Sequence, residues 1–217
     1  MTPARHLALG LLLTAAAGMI DVVGFIELGG FYTSFMSGNT TQLGAGLMAP
    51  SLHLLLPATL VLMFFLGSFA GGYLSMIGER MGPVAVLGFV LGVMLLTFVL
   101  HLFGVPPYFA LLPLALGAGA QNAVMPQRGA ARLGTTFVSG TLYAAGLDLA
   151  RAVRRQAPAF RWVQHVFVWF ALLAGALIGA VAYHAMGLAA LAVPGTIYAL
   201  FLLGQLLLTN PGVIARL

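Results

Sequence analysis

Polar side chains are few in this chain, and they gather in a handful of places. Asp21 stands inside the apolar run "GMIDVVGF". The phrase "FMSGNTTQLGAGL" (35–47) follows shortly, and a similar phrase, "FVSGTLYAAGLDLA" (137–150), recurs further on, preceded by Gln121 and Asn122. A hydroxyl or amide beside glycine at the start of a helix leaves free backbone N–H groups and a partial positive charge, the chemistry that receives an anion or an electronegative group. Ser37, Gly38, Asn39 and Thr40, with Ser139, Gly140 and Thr141, are therefore the candidate binding residues. Gly38 and Gly140 would let a ligand approach the backbone closely, and Gln121 and Asn122 could add side-chain amide contacts.

Asp21 is the sharpest single candidate, because an ionisable group within an apolar segment is costly and implies a function. Two roles are open to it. It could be a protonatable coupling group, or it could accept hydrogen bonds from backbone amides as structural glue. If ionised, it would offset part of the positive potential of the helix starts, which would then suit a neutral polar solute or a proton-coupled acid.

The remaining ionisable groups read as structural. Glu27 falls at the end of its apolar run, Glu79 adjoins Arg80 in a turn, and Asp148 precedes Arg151 by a helical ion-pair spacing. His53, His101, His165 and His184 fall near segment ends without ligand spacing, so neither a metal nor a cofactor is expected. Trp162 and Trp169 suit interface anchoring and packing. There is no cysteine, no nucleophile motif and no phosphate-binding loop, so an enzyme is not expected.

The elements that position these residues follow from composition. Hydrophobic residues make up 61% of the chain and charged residues 6%, where a soluble domain carries roughly a quarter charged. The chain belongs in a lipid bilayer. Its net charge of +5 comes from arginines alone, and their placement reads as topology, with no nucleic acid implied. A spanning helix needs about 20 apolar residues, and candidate spans cover 7–27, 53–77, 83–103, 107–126, 162–184 and 189–209, separated by "GERMGP", "GVPP" and "AMG". With the N-terminus in the cytoplasm, Arg5, Arg80, the group from Arg128 to Arg161, and Arg216 all fall on the cytoplasmic side. The basic, apolar N-terminus resembles a signal peptide, but its apolar run continues to Val23 and has a later counterpart, so it is expected to be retained.

That counterpart belongs to a repeat. "GMID" (18–21) aligns with "GAQN" (119–122), and "FMSGN" with "FVSGT" after one inserted residue, which brings Gly44 onto Gly146; "GSFAG" (67–71) aligns with "GALIG" (175–179). The expected fold is thus an all-α polytopic membrane protein with two repeats, 1–103 and 104–217. Each has three spans and a half-helix after the first, at about 39–49 and 139–152. An odd number of spans inverts one copy relative to the other, as in many secondary transporters. Ser37 or Asn39, and Ser139, are expected N-caps. The half-helix starts would meet near the midplane, where irregular backbone is tolerated only under protein or beside a water-filled cavity. The alternative reading makes the two phrases surface loops with interfacial helices.

The stretches "GMIDVVGFIELGGFYTSFMSGNTTQLG" and "GAQNAVMPQRGAARLGTTFVSGTLYAAGLDLA" resemble the YoaK-type bacterial membrane proteins, a family of unknown function, over nearly the whole chain. Ser37 and Ser139 stand where threonine is usual in that family, and both keep a hydroxyl. The resemblance implies a multi-pass protein of the bacterial inner membrane with about six spans. The half-helices are also similar to those of sulfate-permease and nucleobase transporters, a likeness of fold alone. The function expected is a secondary transporter for a small polar or anionic solute, with Asp21 for proton coupling. A passive facilitator or a membrane scaffold are the alternatives. A homodimer through the Gly-xxx-Gly faces is compatible with this, as is internal packing of the same glycines.

Overall fold

The computed structural model describes residues 4–47, 52–124 and 138–209, and among these there are helices and turns but no strand. In chain order the α-helices are α1 (Ala4–Glu27), α2 (Met36–Gly46), α3 (Leu52–Ser75), α4 (Met81–Leu102), the single turn α5 (Pro107–Ala110), α6 (Leu112–Ala120), α7 (Val138–Val153), α8 (Arg161–Met186) and α9 (Ala192–Thr209). Four stretches are long and apolar enough to cross a membrane: Leu7–Glu27, Leu54–Ser75, Met81–Leu102 and Arg161–Leu207. The last contains both α8 and α9, which part at Gly187, where a left-handed φ of +59° breaks the helix.

The segment expected to span as one helix from 107 to 126 is built from pieces. Pro113 lies in the first turn of α6 and donates no backbone hydrogen bond, so the helix restarts there after α5. A 3₁₀ turn, Gln121–Ala123, extends α6 at its other end. The half-helices differ from expectation at their starts. The residue before α2 is Phe35, with no side-chain cap, and Ser37 and Asn39 lie inside the helix. Ser139 likewise lies inside α7. The N–H groups at the start of α2 go to backbone acceptors instead, Met36 to Ser34 O and both Gly38 and Asn39 to Phe35 O.

Packing runs across the two halves of the chain. The most extensive helix pairs are α1 with α8 and α3 with α6, while α2 lies on α3 and α7 on α8. Both major seams are backbone-to-backbone. A methyl group on Gly175 would strike the Ala15 carbonyl, and one on Gly67 would strike the Leu116 carbonyl. Gly18 faces Leu172 and Ala176, while Gly119 faces Phe64 and Ser68. Gly179 meets Met19, and Gly71 meets Ala120. The two sets match residue for residue: Ala15 and Leu116 stand as far apart in sequence as Gly18 and Gly119, and Phe64 and Leu172 as far as Gly67 and Gly175. These internal seams consume the Gly-xxx-Gly faces, which therefore give no ground for a dimer.

Around the seams, Leu13, Val23, Leu60, Leu87, Leu114 and Tyr198 are fully buried or nearly so. Large apolar side chains such as Phe65, Phe69, Leu95, Leu177 and Val181 point outward along the long helices. An exposed apolar surface of that extent suits lipid and not water.

Candidate functional site

The polar phrase after α1 folds back on itself. Gly29 (φ +66°) and Gly30 (φ +104°) turn the chain out of α1 in conformations that other residues rarely adopt, and Gly30 N–H donates to Phe25 O at 2.8 Å. The following loop, 31–35, is then fastened from both sides. Asp21 Oδ1 accepts from Thr33 N–H (2.9 Å), the Thr33 hydroxyl (3.1 Å) and Ser34 N–H (2.7 Å). Asn39, fully buried, reads Tyr32 at both atoms of its side-chain amide, accepting from its N–H at 2.9 Å and donating to its carbonyl at 2.7 Å. Gln42 Nε2 donates to Gly30 O at 2.8 Å. A buried loop must satisfy its backbone internally, and Asp21, Asn39 and Gln42 supply what helix geometry would otherwise provide.

The glycines of this loop serve packing. Thr33 presses on Gly24, and the rings of Phe35 and Tyr32 cover Gly38. The space at Gly38 expected for a ligand is therefore taken by aromatic side chains. Gly140 is different, since nothing lies within 4 Å of a methyl group placed there.

The two half-helix starts share one cavity of about 210 Å³. Ser34 and Ser37 border it from the α2 side, Ser139 and Gly140 from α7, and Phe64 from α3. In the first turn of α2, Met36, Gly38 and Asn39 N–H groups return to the carbonyls of Ser34 and Phe35. Ser37 keeps a hydroxyl at the cavity, and no hydrogen bond to its N–H is found among the described residues. A second cavity, of about 200 Å³, lies along the α1–α8 seam and is bordered by Gly18, Asp21, Phe25, Tyr32, Leu172 and Ala176.

Of the residues singled out from sequence, Ser37, Ser139 and Gly140 come together at the first cavity, and Asp21 borders the second. The others hold backbone or neighbouring helices. Thr40 and Thr141 return their hydroxyls to Met36 O and Val138 O, and Asn122 donates to Ala118 O at 3.1 Å. Gln121 is buried and accepts a hydrogen bond from the Tyr198 hydroxyl of α9. Sequence reasoning missed Ser34 and Phe64 as lining residues. Ser34 adjoins the polar phrase and could have been included with it, whereas Phe64 is one apolar residue among many and carries no signal.

A second cluster ties α7 to α8. Arg161 donates to both oxygens of Asp148, at 2.6 and 2.7 Å, and His165 Nε2 lies 3.4 Å from Asp148 Oδ2. The expected partner, Arg151, is also present but more distant, at 3.8 Å. His165 is buried here, near the start of α8. Glu27, at the end of α1, accepts from the Tyr183 hydroxyl at 2.7 Å. Among the described residues no group of three or more His, Asp or Glu could hold a metal ion.

Asp148 lies outside the four apolar stretches, and the Arg161 hydrogen bonds hold its carboxyl below the usual carboxylate range. A depressed folded value stabilises the protein above the unfolded value of about 3.9, and the benefit fades as pH falls through the folded value. Asp148→Asn is therefore expected to lower the melting temperature at neutral pH, with the gap to wild type closing only below about pH 4. A gap that closes already between pH 8 and 6 in melting curves would remove the Asp148–Arg161 pair as its source.

Long apolar helices, outward-facing apolar side chains and a polar loop satisfied from within define a multi-pass membrane protein. The chain belongs to the family described as protein of unknown function (DUF1275), which matches residues 9–204 and agrees with the YoaK-type resemblance. It is 35% identical over 197 residues to the UPF0700 transmembrane protein RA0705 of Rhizobium meliloti (strain 1021), covering 88% of this chain and 83% of that protein. No solved structure matches the chain.

Proposed function

We propose that this chain is a secondary transporter that carries a small polar or anionic solute through the cavity where α2 and α7 begin. The observation that carries the reading is the convergence of Ser37 with Ser139 and Gly140, from matching positions of the two repeats, on one cavity. Two short helices starting at a shared cavity bordered by hydroxyls are the architecture of transporters with inverted repeats. The exchange of partners between halves supports the same reading, since α1 packs on α8 as α3 packs on α6. In this view residues 1–103 and 104–217 are the two inverted repeats. Six spans, with α6 and its flanking turns as the fourth, cross the bacterial inner membrane with both termini cytoplasmic.

Ser34 links the cavity to Asp21, because its side of the loop borders the cavity while its N–H donates to the carboxylate. Protonation of Asp21 would weaken that acceptor and loosen the start of α2, a direct route for proton coupling. A facilitator is the second reading, favoured by the three donors already held by Asp21 Oδ1, which a purely structural carboxylate would also hold.

Solid-supported membrane electrophysiology separates these readings. Proteoliposomes are challenged with a panel of small organic and inorganic anions and polar solutes under a pH gradient. Substrate-specific currents that lose their pH dependence in Asp21→Asn are expected. Currents independent of pH in both proteins would favour the facilitator, and the absence of current together with the absence of solute flux would reject transport.

A further inference from the structure

The second cavity has a chemistry of its own. We propose that it binds a small organic ammonium ion, with Asp21 as counter-charge and the Phe25–Tyr32 ring pair as the aromatic wall. The argument begins with charge. Asp21 stands within the Leu7–Glu27 stretch, and a carboxylate at such depth demands compensation. Its hydrogen bonds come from Thr33 and Ser34. Among the described residues ion pairs form at Asp148, and none joins Asp21 to a cation. The protein therefore gives this carboxylate donors but no counter-charge, and Asp21 borders an open pocket.

The wall selects the class of cation. The Phe25 and Tyr32 rings lie 4.9 Å apart at 36°, and Leu172 and Ala176 of α8 complete an aliphatic side. A hard metal ion such as calcium takes six or more oxygen ligands, and this wall offers one carboxylate and one phenol. An alkylated ammonium ion needs no oxygen cage. It is held by a counter-charge and by aromatic faces. About 200 Å³ accommodates one such ion of a few carbons. The pocket also belongs to one repeat only, because Asn122 stands where the other copy has Asp21, so one site per chain is expected.

The pocket stands on its own geometry, independent of the transport reading. If that reading holds, the same carboxylate serves both cavities, directly on the ammonium side and through Ser34 on the solute side.

The test uses the full chain in detergent, with radiolabelled tetramethylammonium in equilibrium dialysis and sodium chloride holding ionic strength constant. Saturable binding of one ion per chain is expected, weakened about tenfold or more in Asp21→Asn and in Ala176→Leu, which fills the pocket from α8. Phe25→Leu, at an exposed position on the pocket wall, is expected to weaken binding as well and keeps the test decisive if either other variant fails to fold. Binding that is absent from wild type, or unchanged in every variant that folds, overturns the proposal. Repeating the titration in nanodiscs of phosphatidylglycerol and of phosphatidylcholine then separates the sources. Competition by phosphatidylcholine identifies a lipid headgroup as the occupant, and its lack identifies a free solute. Neither result bears on the anion currents, so the two readings fail separately.

Discussion

Gly175→Ala and Gly67→Ala each remove the folded protein, although the change is a single methyl group. In both cases the new carbon lands on a backbone carbonyl of the partner helix, Ala15 for one and Leu116 for the other. A flexible side chain could move aside, but a helix backbone can yield only by parting the seam. Overpacking of a core normally costs about 1–3 kcal/mol. Here the same insertion also separates the small residues through which membrane helices gain their contact, since lipid supplies no hydrophobic drive to push them together. Gly88→Ala and Gly92→Ala serve as controls, because nothing lies within 4 Å of the added methyl at either position. Fluorescence-detected size-exclusion chromatography of the extracted variants reads the result. Loss of the monodisperse peak for the seam variants and its retention for the controls is expected. A seam variant that survives heating as well as wild type does would show that the α1–α8 or α3–α6 approach is looser than described. The matched positions make a further demand: Gly67 and Gly175 should fail to a similar degree, because each closes one of two equivalent seams between the halves.

Asp21→Ala carries the second large effect. It leaves Thr33 N–H, Ser34 N–H and the Thr33 hydroxyl without their acceptor in a loop shielded from water. An unsatisfied buried donor costs about 1–3 kcal/mol, so a loss of several kcal/mol is expected even without full additivity. Asp21→Asn keeps one carbonyl oxygen at the same place and should cost far less, the difference being that between charged and neutral acceptors. Hydrogen exchange at residues 31–35 is the sensitive readout, with rapid exchange in Asp21→Ala and near-native protection in Asp21→Asn. Equal protection in wild type and Asp21→Ala would mean that the loop is held by Asn39 and Gln42 alone. The pair of variants also sorts the two roles of the carboxylate. A transport defect common to both reports on charge, and a defect confined to alanine reports on the loop.

Much of the architecture was legible without coordinates. Hydropathy is a local property, so the apolar segments declared themselves, and α1, α3, α4, α8 and α9 lie close to where the runs of leucine, valine and alanine put them. The polar phrases at 35–47 and 137–150 contain the short helices α2 and α7, because a stretch too polar for lipid has to be covered by something else. The repeated glycines announced close helix approach, and each of Gly18, Gly67, Gly119 and Gly175 lies against a partner backbone. Membership of the family was carried by the same motifs.

What only the tertiary structure decided is the employment of each polar group. Asn39 and Ser37 are neighbours of similar chemistry in sequence. In space Asn39 is consumed by the Tyr32 backbone and Ser37 borders the cavity. Gln121 looked like a ligand-binding amide and instead meets the hydroxyl of Tyr198, a residue of another helix. Asp148 had a partner waiting one helical turn away in Arg151, yet its two shortest bonds go to Arg161, across a turn and on the next helix. Gly38 and Gly140 occupy matching places in the two polar phrases, and aromatic rings cover only the first. The physical reason is common to all four. Hydropathy and helix periodicity depend on residues within a few turns, whereas a hydrogen bond or a filled space depends on whichever side chain the packed helices bring alongside.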